Sequence, residues 1–271
     1  MHNDSFIVGL SRRPFIQGWE LRRAIHTLAE SLRPLMPRHV SLRVQWMAIP
    51  TARVNATGDM HLASVKDDAK VSRALFLRYV GFVLHETLHL IYTDFSARDR
   101  RPYVDRLHNA VEDVWIERRG IANRVTGNLE QVLTDLTDQM VAEALAAVKD
   151  WADPMQYPFV LAIYARQYGA KVPVAEGLEP IFAEASRRID GAHNSADTLA
   201  IAKWVFDQLQ KMPEDKPEEN KGKPEEGTPG EGTEGQQGEA GEGQQGESTE
   251  GESGEGAEGE QGEADGPEGE G

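Results

Sequence analysis

Residues 82–91 read Phe-Val-Leu-His-Glu-Thr-Leu-His-Leu-Ile, so that His85-Glu86-Thr87-Leu88-His89 sets two imidazoles four positions apart, with a carboxylate beside the first. An α-helix turns about 100° per residue and brings positions four apart to nearly the same face, so both rings can reach one metal ion at the roughly 2.0–2.1 Å of Zn–N bonds. Glu86 lies about 100° further round the helix, where it can take a proton from a water whose pKa a zinc ion lowers from 15.7 to about 7. The flanking residues are uncharged at 87, 88 and 90 and apolar at 82–84. This context places the pair on a buried helix, where unpartnered histidines are costly. The plainer alternative, two surface histidines beside a chance glutamate, fits it poorly.

A catalytic zinc site commonly has three protein ligands and an open position. The next helical run begins about twenty residues downstream and reads Leu107-His108-Asn109-Ala110-Val111-Glu112-Asp113-Val114-Trp115-Ile116-Glu117. Its apolar stripe comprises Leu107, Ala110, Val111, Val114 and Ile121; Asp113 falls near one edge with Asn109 and Glu117, and His108 and Glu112 fall towards the other. Two assignments follow. Asp113 binds the ion while Glu117, one turn on, hydrogen-bonds a ligand imidazole and fixes its tautomer, or Glu112 binds it with Asp113 in support. Spacing leaves both open, and a solvated helix face is the plain reading of each acid. His61 and His108 are the next candidates for the third ligand.

Positioning these groups requires an ordered scaffold, and the hydrophobic pattern supplies one. Trp19, Leu21, Ile25, Leu28, Leu32 and Leu35 recur at helical spacing over 17–36, closed by Pro34 and Pro37. Val40, Leu42, Val44 and Trp46 alternate with polar residues, and a second extended stretch spans 52–63 around Thr57-Gly58-Asp59, which predicts a small antiparallel sheet. The segment Met60-His61-Leu62-Ala63 is read either as an edge strand able to pair with an extended peptide or as an ordinary hairpin strand. Helical periodicity returns after Asp68 and persists to Tyr92, and further helices are expected at about 102–122, 127–149, 157–168, 176–189 and 195–211. The fold class is α+β, mostly helical.

The net charge of −16 averages two unlike pieces of the 271-residue chain. Residues 213–271 hold 20 acidic and 3 basic residues and 17 of the 26 glycines, which leaves 25 acidic and 26 basic residues for 1–212. A Gly-Glu tail whose apolar content is three alanines cannot offset its ordering entropy, so it is expected to be a disordered acidic linker or tail. Residues 1–212 form one expected domain with a helical extension. The absence of cysteine excludes thiolate metal sites, disulfides and thiol nucleophiles, and favours a reducing compartment, the cytoplasm by default. Membrane insertion is not expected, since no run of 18 apolar residues occurs. Arg98, Arg100, Arg101 and Arg106 alternate with Asp94, Asp99 and Asp105, so a solvated loop is preferred to a nucleic-acid patch.

The His-Glu-x-x-His run is the zincin motif, and its surroundings resemble a narrower family. Asn109-Ala-Val-Glu112-Asp-Val-Trp-Ile-Glu117-Arg-Arg-Gly120, then Gly127-Asn128-Leu129, is similar to the N-terminal region of the CobT-type cobaltochelatase subunit. The order of helical region and acidic linker is also similar; in that family the linker leads to a von Willebrand A domain. Those subunits generally lack an intact His-Glu-x-x-His, so this chain, with Thr93-Asp94-Phe95 after the motif, more closely resembles metallopeptidase domains that precede von Willebrand A domains in bacterial and phage relatives. The likeness covers roughly residues 75–135 plus the tail. It implies a zincin-like fold, zinc, a peptide or protein substrate, a partner ATPase of the MoxR-type AAA+ class, and an Asn-x-x-x-Asp pattern that maps onto Asn109 and Asp113 and so ranks Asp113 above Glu112. The competing class is a non-catalytic, chelatase-like accessory subunit whose metal site is structural or idle.

Removing residues 213–271 is expected to leave the melting temperature of the remainder nearly unchanged, because a segment without large apolar side chains contributes no core. Calorimetry of the full chain against residues 1–212 checks this, and a drop of many degrees would show that the tail docks on the domain.

Overall fold

The computed structural model describes residues 9–212, and the acidic tail expected at 213–271 lies outside the described residues. In chain order the elements are Phe15–Gln17 (β1), Gly18–Leu32 (α1), Arg43–Met47 (β2), Arg53–Val54 (β3), Asp59–Ala63 (β4), Lys70–Ser72 (β5), Arg73–Tyr92 (α2), Pro102–Ala122 (α3), Leu129–Ala147 (α4), Tyr157–Ala165 (α5), Glu179–Asp190 (α6) and Ser195–Leu209 (α7), with 3-10 turns at Arg33–Leu35 and Pro154–Gln156. The fold is mostly helical, as its periodicity predicts.

The strands differ from expectation in two respects: the β1–β5 pair is unexpected, with Lys70–Ser72 lying where a helix is read, and one pairing within the sheet is parallel. β1 pairs with β5 and β3 with β4, both antiparallel, but β2 lies parallel to β4, with Val44 opposite Met60 and Trp46 opposite Leu62. The strand order is β2-β4-β3. The chain leaves β2, crosses the sheet to form β3, and returns through the Asn55–Asp59 turn so that β4 inserts between them. Gly58, at φ +93°, makes that turn possible, since a Cβ there would meet the Ser41 carbonyl oxygen at 2.6 Å. Met60 and His61 are therefore paired on both sides, and the edge-strand reading does not hold for them; the hairpin reading does.

α1 buries Leu21, Ala24, Ile25, Ala29 and Leu32, while Trp19 and Leu35, the ends of the expected stripe, stay exposed. The next long helix, α2, starts where Ser72 Oγ accepts from the Leu75 amide at 3.2 Å. It is apolar on most of its circumference, as a helix surrounded by protein should be. By length and composition it could cross a membrane, but α1, α3, α4 and the strands pack around it. Tyr79 of α2 fixes the sheet, donating to the Ala63 carbonyl at 2.8 Å and lying 5.6 Å from the Trp46 ring.

The loop from α2 to α3 is held by two local turns. Asp94 Oδ1 accepts from the Ser96 amide at 2.9 Å, and Asp99 Oδ1 from the Arg101 amide at 3.0 Å, before Pro102 opens α3. The Arg98–Arg106 stretch forms this loop and the first turn of α3, and Asp99 also pairs with Lys203 at 3.3 Å. α3 then returns beside α2 and is flanked by α5 and α7. Glycine permits both close approaches around the motif helix: a Cβ on Gly120 would lie 2.6 Å from Leu88 Cδ2, and one on Gly81 would lie 3.0 Å from Leu136 Cβ.

Gly81→Val should therefore destabilise the protein by about 1–3 kcal/mol, the usual cost of overpacking. Gly127→Ala, where nothing lies within 4 Å, should change stability by no more than about 0.5 kcal/mol. Urea denaturation of the two variants checks the contrast, and equal effects would show that α2 and α4 are not tightly apposed.

Candidate metal centre

α2 and α3 place His85, His89 and Asp113 so that one ligand atom from each lies within 4.8 Å of the others. The two imidazoles are 5.0 Å apart between centroids and nearly perpendicular. Asp113 Oδ1 faces both, 3.2 Å from His89 Nε2 and 3.6 Å from His85 Nε2. That oxygen is sealed from solvent, yet neither contact has hydrogen-bond geometry and no other donor reaches it. A buried carboxylate oxygen without a donor is expensive.

The far sides of the rings explain the arrangement. His85 Nδ1 lies 2.9 Å from Glu117 Oε1. An ionised carboxylate only accepts, so Nδ1 carries the hydrogen, and in the neutral ring Nε2 presents its lone pair to Asp113. His89 Nδ1 meets Thr93 Oγ1 at 3.0 Å, which allows the same orientation. Lone pairs converging on an anionic oxygen call for a cation between them. Burial disfavours charge on His85, but the carboxylates of Asp113 and then Glu117 raise its pKa well above the ordinary value. Burial likewise opposes the ionisation of Asp113, and the imidazoles of His85 and His89 overcome it, holding its pKa far below the usual carboxylate range. Two imidazoles and one carboxylate, each already oriented, can hold a metal ion.

Glu117 is itself fully engaged. Arg166 binds it through both oxygens, Nε to Oε2 at 2.7 Å and NH2 to Oε1 at 2.9 Å, and the Tyr168 hydroxyl donates to Oε2. Burial would raise the Glu117 pKa, but the Arg166 charge brings it down to about 2. Asn109 Nδ2 reaches Asp113 Oδ2 at 3.5 Å.

Glu112 points the other way. Its carboxylate accepts from Ser195 Oγ at 2.6 Å and from Thr198 Oγ1, and His108 Nε2 lies 3.5 Å from Oε2 and 3.0 Å from Thr198 Oγ1. His108 thus belongs to the α3–α7 contact, and His61 Nδ1 accepts from Arg53 Nε at 3.2 Å in the sheet. Neither histidine, nor Glu112, joins the cluster.

Glu86 occupies a third environment. It is 7 % exposed, and no described residue donates to its carboxylate. Burial raises its pKa, and the nearby histidines only partly offset that. Comparison with protein families, curated proteins and solved structures finds no match.

Sequence reasoning did not single out Arg166, Tyr168, Ser195 or Thr198. Arg166 carried a faint signal as the charged residue closing the apolar helix Tyr157–Ala165; the others had none.

Asp113→Asn should weaken binding of a divalent transition metal by more than about tenfold, whereas Glu112→Gln should leave affinity within a few-fold and lower thermal stability instead. Competition with a chromophoric chelator, using zinc as the probe, checks both; the larger loss in Glu112→Gln would reverse the assignment.

Proposed function

We propose that the chain is a zinc-dependent metallopeptidase of zincin-like type, in which His85, His89 and Asp113 hold the ion and Glu86 is the general base. The carrying observation is the environment of Glu86: a buried carboxylate beside the ligand set, with a raised pKa and no donor to it among the described residues. A bound zinc would acidify water and polarise a substrate carbonyl. Glu86 then accepts the proton of the attacking water and returns it to the departing amine, the dual role that suits a carboxyl group with an elevated pKa. Glu117 and Thr93 hold the two imidazoles in register during this cycle, and the apolar wall of α2 limits competing solvent.

Two histidines and a carboxylate also suit ferrous iron. The unoccupied glutamate next to the ligands favours hydrolysis, because proton transfer gives that residue a task and an oxygen-activating centre does not require one. A purely structural ion would fill its fourth position with a protein ligand, and among the described residues His85, His89 and Asp113 are the only three that converge. The cytoplasmic location, the MoxR-type AAA+ partner and the downstream von Willebrand A domain are carried by the resemblance and general composition, and the mechanism uses none of them.

Glu86→Gln should retain about one equivalent of zinc and lose roughly 10²–10⁴-fold in peptide hydrolysis. Metal analysis paired with turnover on a broad peptide library tests it. A zinc-loaded wild type that cleaves nothing, or a Glu86→Gln variant at full activity, would overturn the peptidase reading, the first result pointing to the accessory-subunit class.

A further inference from the structure

The segment after α5 reaches back into the centre of the fold. Arg166 leaves the helix at φ −62°, ψ 128°, which turns its guanidinium inward, where it is 6 % exposed. Tyr168 follows two residues later and sends its hydroxyl to the same carboxylate. We infer that Arg166 and Tyr168 are positioning residues of the metal centre, acting on His85 through Glu117. The inference rests on the reading of His85 as a ligand.

Every contact to Glu117 comes from a donor. Arg166 supplies two N–H groups in the paired geometry that fixes a carboxylate plane, and the Tyr168 hydroxyl completes Oε2. Oε1 is left with one further direction, along which His85 Nδ1 sits at 2.9 Å. The carboxylate cannot rotate away without breaking the Arg166 pair, and it cannot donate. His85 is thereby held in one ring orientation and one tautomer, with Nε2 directed at Asp113. His89 lacks this constraint: Thr93 Oγ1 can donate or accept by rotating its hydrogen. The two ligands are thus unequally prepared, and His85 is the one fixed before an ion arrives. Lysine at 166 would keep the charge and lose the fork, so it is not an equivalent residue.

The test uses the full chain and variants Tyr168→Phe, Arg166→Lys, Glu117→Gln, Arg166→Lys/Glu117→Gln and His85→Ala. Zinc affinity is measured by chelator competition, the cobalt(II)-substituted proteins are compared by visible spectrum, and the His85 nitrogen that carries the hydrogen is read in the zinc-loaded, ¹⁵N-labelled proteins from two-bond proton–nitrogen correlations. Glu117→Gln and Arg166→Lys should each weaken zinc by roughly 10–100-fold, Tyr168→Phe by less, with an altered cobalt spectrum and loss of the single Nδ1–H tautomer. The double variant should be no weaker than Glu117→Gln by more than about twofold, since both changes act through one carboxylate. If Tyr168→Phe and Arg166→Lys lower the melting temperature but keep wild-type affinity, spectrum and tautomer, the two residues are structural and the inference is overturned. Should Arg166→Lys fail to fold, Tyr168→Phe decides by the same readouts. His85→Ala is the separate control: if it binds zinc as tightly as wild type, the ligand reading itself fails.

Discussion

The Glu117 carboxylate is the interaction on which the centre of this protein depends. It is 3 % exposed, and an isolated buried carboxylate would protonate or unfold its surroundings. Arg166 is equally unable to stand alone. Removing one partner of such a pair costs about 3–5 kcal/mol, chiefly because the other charge is left without compensation. That mutual requirement draws the end of α5 against α3, and the remaining donor direction on Glu117 draws His85 of α2 to the same point. Three parts of the chain distant in sequence are thus registered by one side chain, and the geometry of the candidate metal site follows from that registration.

α3 carries a second polar network on its opposite side. Glu112, one residue before Asp113, accepts from Ser195 and Thr198 of α7, and Ser195 Oγ also accepts from the Asp94 amide at 2.8 Å. Asp94 follows Thr93, the partner of His89. The loop after the motif helix is therefore tied to α7 while its neighbouring hydroxyl orients the His89 imidazole. Asp113 and Glu117 face α2; Glu112 and His108 face α7. A helix with buried acids on two sides can be satisfied only if each side meets its own donors, which specifies the rotation of α3 more sharply than its apolar stripe could.

This division marks what the sequence could and could not disclose. α3 was legible to its ends, because Pro102 starts it and an apolar stripe runs through it, and α2 was legible because the motif sits in a continuous apolar run. The pairing of His85 with His89 followed from helix geometry alone. Choosing between Glu112 and Asp113 did not, since they lie about 100° apart on a helix buried on both sides, and what decides is the identity of the neighbour: Ser195 and Thr198, some eighty residues later, or the two histidines. Arg166 and Tyr168 act at a distance of about fifty residues from Glu117, beyond any local pattern. The parallel pairing of β2 with β4 was hidden for a similar reason, because alternation reports which face is buried and says nothing of strand direction.

Four acids, Glu86, Glu112, Asp113 and Glu117, share one buried region and a common desolvation, yet their environments push them apart. Burial works against ionisation in all four. Hydrogen bonds from His108, Ser195 and Thr198 reverse it for Glu112, the two imidazoles for Asp113 and the Arg166 charge for Glu117. Only for Glu86 does desolvation prevail. Carboxyl groups separated in this way suit different roles, and under the proposed function those held ionised would serve as anchors and ligands and the one left elevated as a proton carrier. Placing a glutamate directly after the first histidine puts that carboxyl group on the motif helix, where no donor on α3 or α7 reaches it, so the same helical rotation that joins His85 to His89 also leaves Glu86 free.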